Sequence, residues 1–253
     1  MTYIFVALFG LCFGSFFNVL IYRLPLGQSI VLPNSSCPKC KVKIKWYHNI
    51  PILSYIFLKG KCASCETKIS LTYPFVEVLT SFVTVLLFHK LGFGSYFICI
   101  TLVFYLLIVL SFIDLKYKAV PDYLLVFIFI SSLFAVNNDF ISAFTNGLIF
   151  AGAFIMLDFL LSFYIQNIKY KLTKNEDLKH QKALGEGDIP IVFVIGMILG
   201  IKAGFTAIFL GALCAIIPSL YNILFKKEIE TPFIPYLSLG FFIEFIFLLS
   251  EGF

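Results

Sequence analysis

The chain has 253 residues, of which 60% are hydrophobic, 18% aromatic and 13% charged, whereas a soluble domain carries about 25% charged residues. That composition, with a mean hydropathy of +0.97, excludes a soluble globular domain and a disordered chain. The net charge of +5, from 19 Lys and Arg against 14 Asp and Glu, marks cytoplasmic loops in a membrane protein and calls for no nucleic-acid partner.

At about 20 apolar residues per span, the length predicts about eight transmembrane helices and one domain of about fifty residues. The first apolar run, Tyr3 to Tyr22, has no basic residue before it and Arg23 after it. It reads as a retained helix with its N-terminus outside, not as a cleaved signal peptide. Its Gly10-x-x-x-Gly14 pair suits close helix packing. Residues 23–73 differ in kind, with eight basic residues, four cysteines and the only Trp. Seven more apolar runs follow, at 74–89, 95–113, 120–136, 142–166, 188–201, 203–225 and 233–250, with polar breaks at Asn137-Asn138-Asp139 and from Lys169 to Gly187. The expected fold is an all-α polytopic membrane protein. Residues 1–22 form its first transmembrane helix, 23–73 a small cytoplasmic zinc-knuckle domain, and 74–253 a seven-helix core.

Charge orients this arrangement. The loops at 23–73, 114–119, 167–187 and 226–231 carry eight, two, five and two basic residues, which makes seventeen. The other side has Lys90 and Lys202 alone. That bias places the four loops in the cytoplasm.

Cys37-Pro-Lys-Cys40 and Cys62-Ala-Ser-Cys65 continue alike, with Lys43-Ile44 after the first pair and Lys68-Ile69 after the second. Two such turns aim four thiolates at one tetrahedral Zn²⁺, closing a structural site and leaving no open position for catalysis. Two disulfides or four free thiols are the alternative, and a cytoplasmic location disfavours the disulfides. Cys12, Cys99 and Cys214 stand alone in apolar runs as packing residues.

Five acids lie within or at the ends of apolar runs: Glu77, Asp114, Asp158, Asp188 and Glu244. Each costs about 2.5–3.5 kcal/mol or more at mid-bilayer, so a purposeless set is not expected. Asp114 ends the third span and Asp188 begins the sixth, both at the cytoplasmic boundary of the expected topology. Two carboxylates at matching depth on different helices could share a proton and activate water, as in an aspartyl protease. The glycines of Gly185-Glu186-Gly187-Asp188 would allow close backbone approach to a substrate, or positive φ. A plain turn with Asp188 as helix cap is the other reading. Asp122, after Pro121, either caps the fourth helix or lines the site. Asp158 and Glu244 lie deeper and read as helix-packing hydrogen-bond partners. His48, His89 and His180 have no metal-like spacing.

Further segments join these. Gly14-Ser15-Phe16-Phe17-Asn18-Val19 runs on to Tyr22-Arg23-Leu24-Pro25. His48-Asn49-Ile50-Pro51-Ile52-Leu53-Ser54-Tyr55 and Lys59-Gly60-Lys61-Cys62 lie in the cysteine block, and Tyr73-Pro74-Phe75-Val76-Glu77 follows it. Ile113-Asp114 with Pro121-Asp122, then Gly185-Glu186-Gly187-Asp188, complete the order. Together they resemble the bacterial prepilin peptidases, the leader peptidase/N-methyltransferases of type IV pilus and type II secretion systems, which are aspartyl proteases of the GxGD type. The departure is Ile189-Pro190, where many relatives have a hydrophobic residue and Lys.

The resemblance implies an enzyme of the bacterial inner membrane. It would cleave the basic leader from prepilins or pseudopilins, whose apolar N-terminal helix stays in the lipid. It would then methylate the new N-terminus with S-adenosylmethionine. Asp114 and Asp188 would be the protease pair, supported by Gly185, Gly187 and Asp122. The tetracysteine loop would serve methyl transfer, with Gly60 as the matching position. Other readings are a leader peptidase with little or no methyltransferase activity, a multi-span transporter with a zinc-bearing module, and a catalytically silent assembly scaffold.

Overall fold

A computed structural model describes residues 1–136, 139–173, 176, 184–226 and 231–248. Nine α-helices are formed among them. These are α1 (Thr2–Arg23), α2 (Leu53–Phe57), α3 (Thr72–Leu91), α4 (Ser95–Tyr117), α5 (Asp122–Leu133), α6 (Phe140–Phe163), α7 (Tyr170–Thr173), α8 (Asp188–Tyr221) and α9 (Ile234–Phe247). Among the described residues no strand is present, and β pairing is confined to two isolated bridges, Ser36 with Lys43 and Lys61 with Lys68. The all-α membrane architecture expected from composition is therefore the one observed. Residues 174–175 and 177–183 of the break from Lys169 to Gly187, with Lys174 and His180 among them, lie outside the described residues, as do Asn137-Asn138 and residues 227–230.

Five helical segments are long and apolar enough to cross a membrane, starting at Thr2, Thr72, Ser95, Phe140 and Asp188. Helix α5 has 12 residues and α9 has 14. At 1.5 Å per residue they reach about 18–21 Å, short of a hydrocarbon core of about 30 Å. Helix α4 is the most enclosed, with 72% of its span buried, and α6 the least with 6%. The first is a core helix and the second presents most of its surface outward, as a lipid-facing helix does.

Helix α8 corrects one expected boundary. The runs at 188–201 and 203–225 form one stretch, broken at Gly200, whose φ of 77° and ψ of −173° are non-helical. A Cβ built on Gly204 would lie 3.5 Å from the Cα of Gly196. Eight residues of unbroken helix would separate them by about 12 Å, so the chain doubles back at Gly200 and the two arms lie side by side. The ring of Phe150 in α6 covers both glycines: a Cβ would meet it at 2.5 Å from Gly196 and at 3.0 Å from Gly204. Only glycine admits a ring that close. With the arms of α8 counted separately, the apolar helical segments correspond one for one to the eight runs of the sequence.

The chain divides into two compact units, Met1–Tyr117 and Lys118–Phe253. In the first, α1 packs on α3 through the predicted small-residue pair. A Cβ on Gly10 or on Gly14 would lie 2.6 Å from the Cα of Ser81 or of Glu77. Ser81 Oγ donates to Ala7 O at 2.9 Å and Asn18 Nδ2 to Tyr73 O at 3.0 Å across the same seam. Tyr105 of α4 joins both helices, with its hydroxyl 2.8 Å from Thr84 Oγ1 and its ring 5.0 Å from that of Phe17. Close backbone approach with a few interhelical hydrogen bonds is what holds helices together where burial from water contributes nothing.

In the second unit, α6 and α9 pack on α8. Phe193 sets its ring 5.1 Å from Phe129 of α5 and 5.4 Å from Phe144 of α6. Gly240 of α9 faces Ala207 O and Gly211, again with no room for a side chain.

Candidate metal centre and aspartate sites

The segment between α1 and α3 has too little apolar core to hold itself together, so its order must come from turns and cross-links. Its two cysteine turns are built alike. Cys37 N–H donates to Val42 O at 3.0 Å and Lys41 N–H to Cys37 O at 2.9 Å. Cys62 N–H donates to Thr67 O at 2.9 Å and Glu66 N–H to Cys62 O at 3.0 Å. Lys41 and Glu66, each just after the second cysteine of its pair, both take positive φ, 59° and 53°. The four Sγ atoms lie within 4.8 Å of one another, with Cys37 to Cys65 at 3.8 Å and Cys40 to Cys62 at 4.0 Å. Four sulfurs at about 2.3 Å from a tetrahedral Zn²⁺ would stand about 3.8 Å apart. The set fits zinc, and its spacing exceeds a disulfide bond of about 2.0 Å.

The thiols are not equivalent. The Thr67 hydroxyl and then its N–H push Cys65 down to about 6. The Cys40 N–H leads the groups that hold Cys37 below the ordinary thiol value. Cys40 moves the other way, to about 11: the Val42 N–H lowers it, but desolvation and the neighbouring sulfurs outweigh that donor. Such a cluster gathers negative charge, and a divalent cation would neutralise it.

Gly60 has φ of 67°. Its N–H donates to Tyr55 O at 2.9 Å, and its carbonyl accepts Ile69 N–H at 2.7 Å. A Cβ there would sit 2.9 Å from the Tyr55 hydroxyl. Positive φ and the Tyr55 ring together favour glycine at this position, which closes α2 onto the second cysteine turn. Glu77 reaches into the same segment from α3, accepting Ile52 N–H at 2.7 Å.

Both candidate aspartates are buried. Asp114 is 7% exposed in the last turn of α4, and Asp188 is 5% exposed as the first residue of α8. Lys116, two residues beyond Asp114, sets its ammonium 5.1 Å over the Tyr22 ring of α1. Asp188 follows the helix cap, which is Gly187, so its side chain is not the cap. Its N–H donates to Gly185 O at 3.1 Å.

Of the two readings of the motif's glycines, the structure removes positive φ at Gly187 and adds a steric reason for both glycines. Gly187 has φ of −68°, which any residue adopts. A Cβ on it would lie 2.9 Å from Val120 Cγ2 and 3.8 Å from Ile234 at the start of α9. On Gly185 it would lie 3.1 Å from Asp188 Oδ2. The protein's own side chains take up the space. Asp122 opens α5 after Pro121 and is exposed, favourably placed for the helix dipole.

Asp158 has a part beyond helix packing. Its Oδ1 accepts Leu184 N–H at 3.0 Å and Ser162 Oγ–H at 3.3 Å, so α6 holds the residue just before Gly185. Its sequence signal was an acid near the end of an apolar run, with no partner visible at short spacing. Glu244 is fully buried in α9. Of the histidines, His89 sets Nδ1 3.2 Å from the Tyr3 hydroxyl.

The model of the bacterial peptidase A24 N-terminal domain matches residues 8–91, and that of the type IV leader peptidase family matches residues 101–220. A protein of Myxococcus xanthus is 34% identical over 200 residues, 79% of this chain and 57% of the relative. One of Vibrio cholerae is 36% identical over 217 residues, covering 80% of each chain. One of Bacillus subtilis is 30% identical over 246 residues, covering 95% of this chain and 92% of its own. All three are named prepilin leader peptidase/N-methyltransferase. No solved structure matches the chain.

Proposed function

The chain belongs to the type IV leader peptidase family, and from that premise we propose that it removes the basic leader of prepilins or pseudopilins and methylates the amine so exposed. Membership makes it a peptidase with an associated methyltransferase activity. The observation that carries the fuller reading is the order along one chain. The N-terminal family match spans the four cysteines, and the leader-peptidase match spans both Asp114 and Asp188.

Hydrolysis is assigned to the aspartates. One carboxylate takes a proton from water as the water attacks the scissile carbonyl, and the other, protonated, donates to the carbonyl oxygen. Burial of both groups supports this, since it shields a proton transfer between carboxyl, water and carbonyl from bulk solvent. Asp158 and the two glycines then position Asp188 without touching substrate.

Methyl transfer is assigned to residues 23–73, with the seven helical segments from residue 74 onward as the protease core. S-adenosylmethionine would be the donor, consumed as a second substrate. Zinc held by Cys37, Cys40, Cys62 and Cys65 would supply a structural cross-link. Helices α1, α3 and α4 are each long enough to span. The loops at 23–73 and 114–119 on one side of them carry eight and two basic residues against Lys90 on the other, which supports a cytoplasmic placement of this segment in the bacterial inner membrane.

The test is purified full-length protein with a synthetic prepilin and labelled S-adenosylmethionine. Leader release followed by label on the new N-terminus is expected. Intact prepilin after prolonged incubation with folded, zinc-loaded enzyme would overturn the reading.

A further inference from the structure

We infer that the cleft between α1 and the segment that follows it is a binding site for an anionic phospholipid. The inference needs only a membrane-spanning chain and does not rest on the catalytic reading.

The cleft holds about 780 Å³, within the range of about 300–1,000 Å³ typical of ligand sites. One wall is a single face of α1, Phe16, Val19 and Arg23, at helical spacings of three and four residues. That face belongs to a helix able to span the bilayer, so the wall continues into hydrocarbon. Ile30 and Val31 add apolar surface to the lining. Arg23 is committed to building the site: it donates to Ser29 O at 2.9 Å and Pro33 O at 2.7 Å, pinning this segment to the end of α1.

The polar end has one sign of charge. Lys43 and Lys45 line it, and no acidic residue does. Across residues 23–73 the eight basic residues face one acid, Glu66. Trp46, 81% exposed, and Tyr47 line the same cleft. An exposed Trp beside lysines at the end of a spanning helix is how proteins meet the headgroup layer.

The matching ligand has an apolar tail for Phe16 and Val19 and a negative head for Lys43 and Lys45. An anionic phospholipid has both. S-adenosylmethionine carries two positive groups against one negative, and a basic leader has a net positive charge, so the cationic lining disfavours each.

Trp46 is the chain's only tryptophan, so fluorescence excited beyond the absorption of its 13 tyrosines reports on this cleft alone. Full-length protein is reconstituted in phosphatidylcholine nanodiscs containing about one fifth phosphatidylglycerol, with brominated acyl chains on one lipid or the other. Per brominated chain, quenching of Trp46 is expected to be at least threefold stronger with brominated phosphatidylglycerol. Lys43→Gln combined with Lys45→Gln should bring the two quenchers level, at unchanged zinc content. Equal quenching by both lipids in the unmodified protein, or none, overturns the site. Relief of quenching by S-adenosylmethionine would assign the cleft to the methyl donor and overturn it as well.

Discussion

The carboxylate of Glu77 in α3 accepts the backbone N–H of Ile52 at 2.7 Å, across 25 residues of chain. Ile52 has φ of 59° and ψ of −50°, and Leu53 N–H closes onto Pro51 O over it at 2.6 Å. This is a γ-turn with positive φ, the rarer and strained form, made by a β-branched residue. Such a conformation persists only where its surroundings enforce it. Glu77 does so from the point where Gly14 of α1 crosses α3. One buried carboxylate thus couples the α1–α3 pair to the tetracysteine segment.

Glu77→Ala should therefore loosen that segment. It leaves the Ile52 N–H without its acceptor, a loss of about 1–3 kcal/mol. Glu77→Gln keeps an amide oxygen for the same bond and should lose less. Limited proteolysis of detergent-solubilised protein checks this: cutting near residues 50–53 should rise at least tenfold in the Ala variant. Equal protection in both variants would deny Glu77 this part.

Zinc binding should release protons and weaken as pH falls. With Cys65 pushed down to about 6 and Cys40 up to about 11, the metal at neutral pH meets one thiolate and must displace a proton from the other. Acidification toward about 6 begins to protonate Cys65 as well, so the site loses affinity in that direction. Metal analysis should give one equivalent, and affinity should drop more than tenfold between about pH 8 and pH 6. Chelation should open residues 23–73 to protease while the helical signal of the spans persists. Affinity independent of pH, or well below one equivalent with reduced thiols, would argue against a four-thiolate site.

Much of this was legible in the sequence because it depends on spacing. The eight apolar runs, the C-x2-C pairs and Gly10-x-x-x-Gly14 declare themselves by period, and each forms the expected kind of contact. What escaped depends on one backbone angle or one long-range bond. Gly196, Gly200 and Gly204 recur every four residues, as a packing stripe on a single helix would. Only the φ of Gly200 turns that stripe into a reversal. The partner of Asp158 is a backbone N–H 26 residues away, a group present at almost every position and so invisible to pattern.

Asp158 should matter through shape and not through charge. Asn at that position keeps an oxygen for Leu184 N–H, so Asp158→Asn should retain at least half of the leader cleavage. Asp158→Ala frees the residue before Gly185 and should reduce cleavage about three- to tenfold through kcat, with KM for prepilin little changed. A large loss in the Asn variant would show that the charge itself is used.

Gly187→Ala should fail by collision. The added methyl would lie 2.9 Å from Val120 Cγ2, tighter than ordinary packing, and must push Asp188 or the start of α5 aside. A misplacement of about 1 Å at a reacting group can cost about a hundredfold. Trimming the obstacle in Gly187→Ala/Val120→Ala should restore a substantial part of the cleavage rate. If the double variant is no better than Gly187→Ala, steric conflict with Val120 is not the cause.

The aspartates themselves give the sharpest test. Acid and base must each change protonation state during hydrolysis, and an amide can do neither. Asp114→Asn and Asp188→Asn keep nearly the original volume at sites 7% and 5% exposed, so insertion and packing should survive. Each should reduce leader cleavage beyond the 10²–10⁴-fold of a single assisting acid or base. Groups that act as one unit are not additive, so the double variant should be little worse than either single. Methyl transfer to a pre-cleaved pilin peptide should remain in all three, since it is assigned to residues 23–73, and it reports that the protein is folded. The decisive measurement is the cleavage rate at saturating prepilin. More than about a tenth of the original rate in either single variant, with methyl transfer intact, would remove that aspartate from the mechanism.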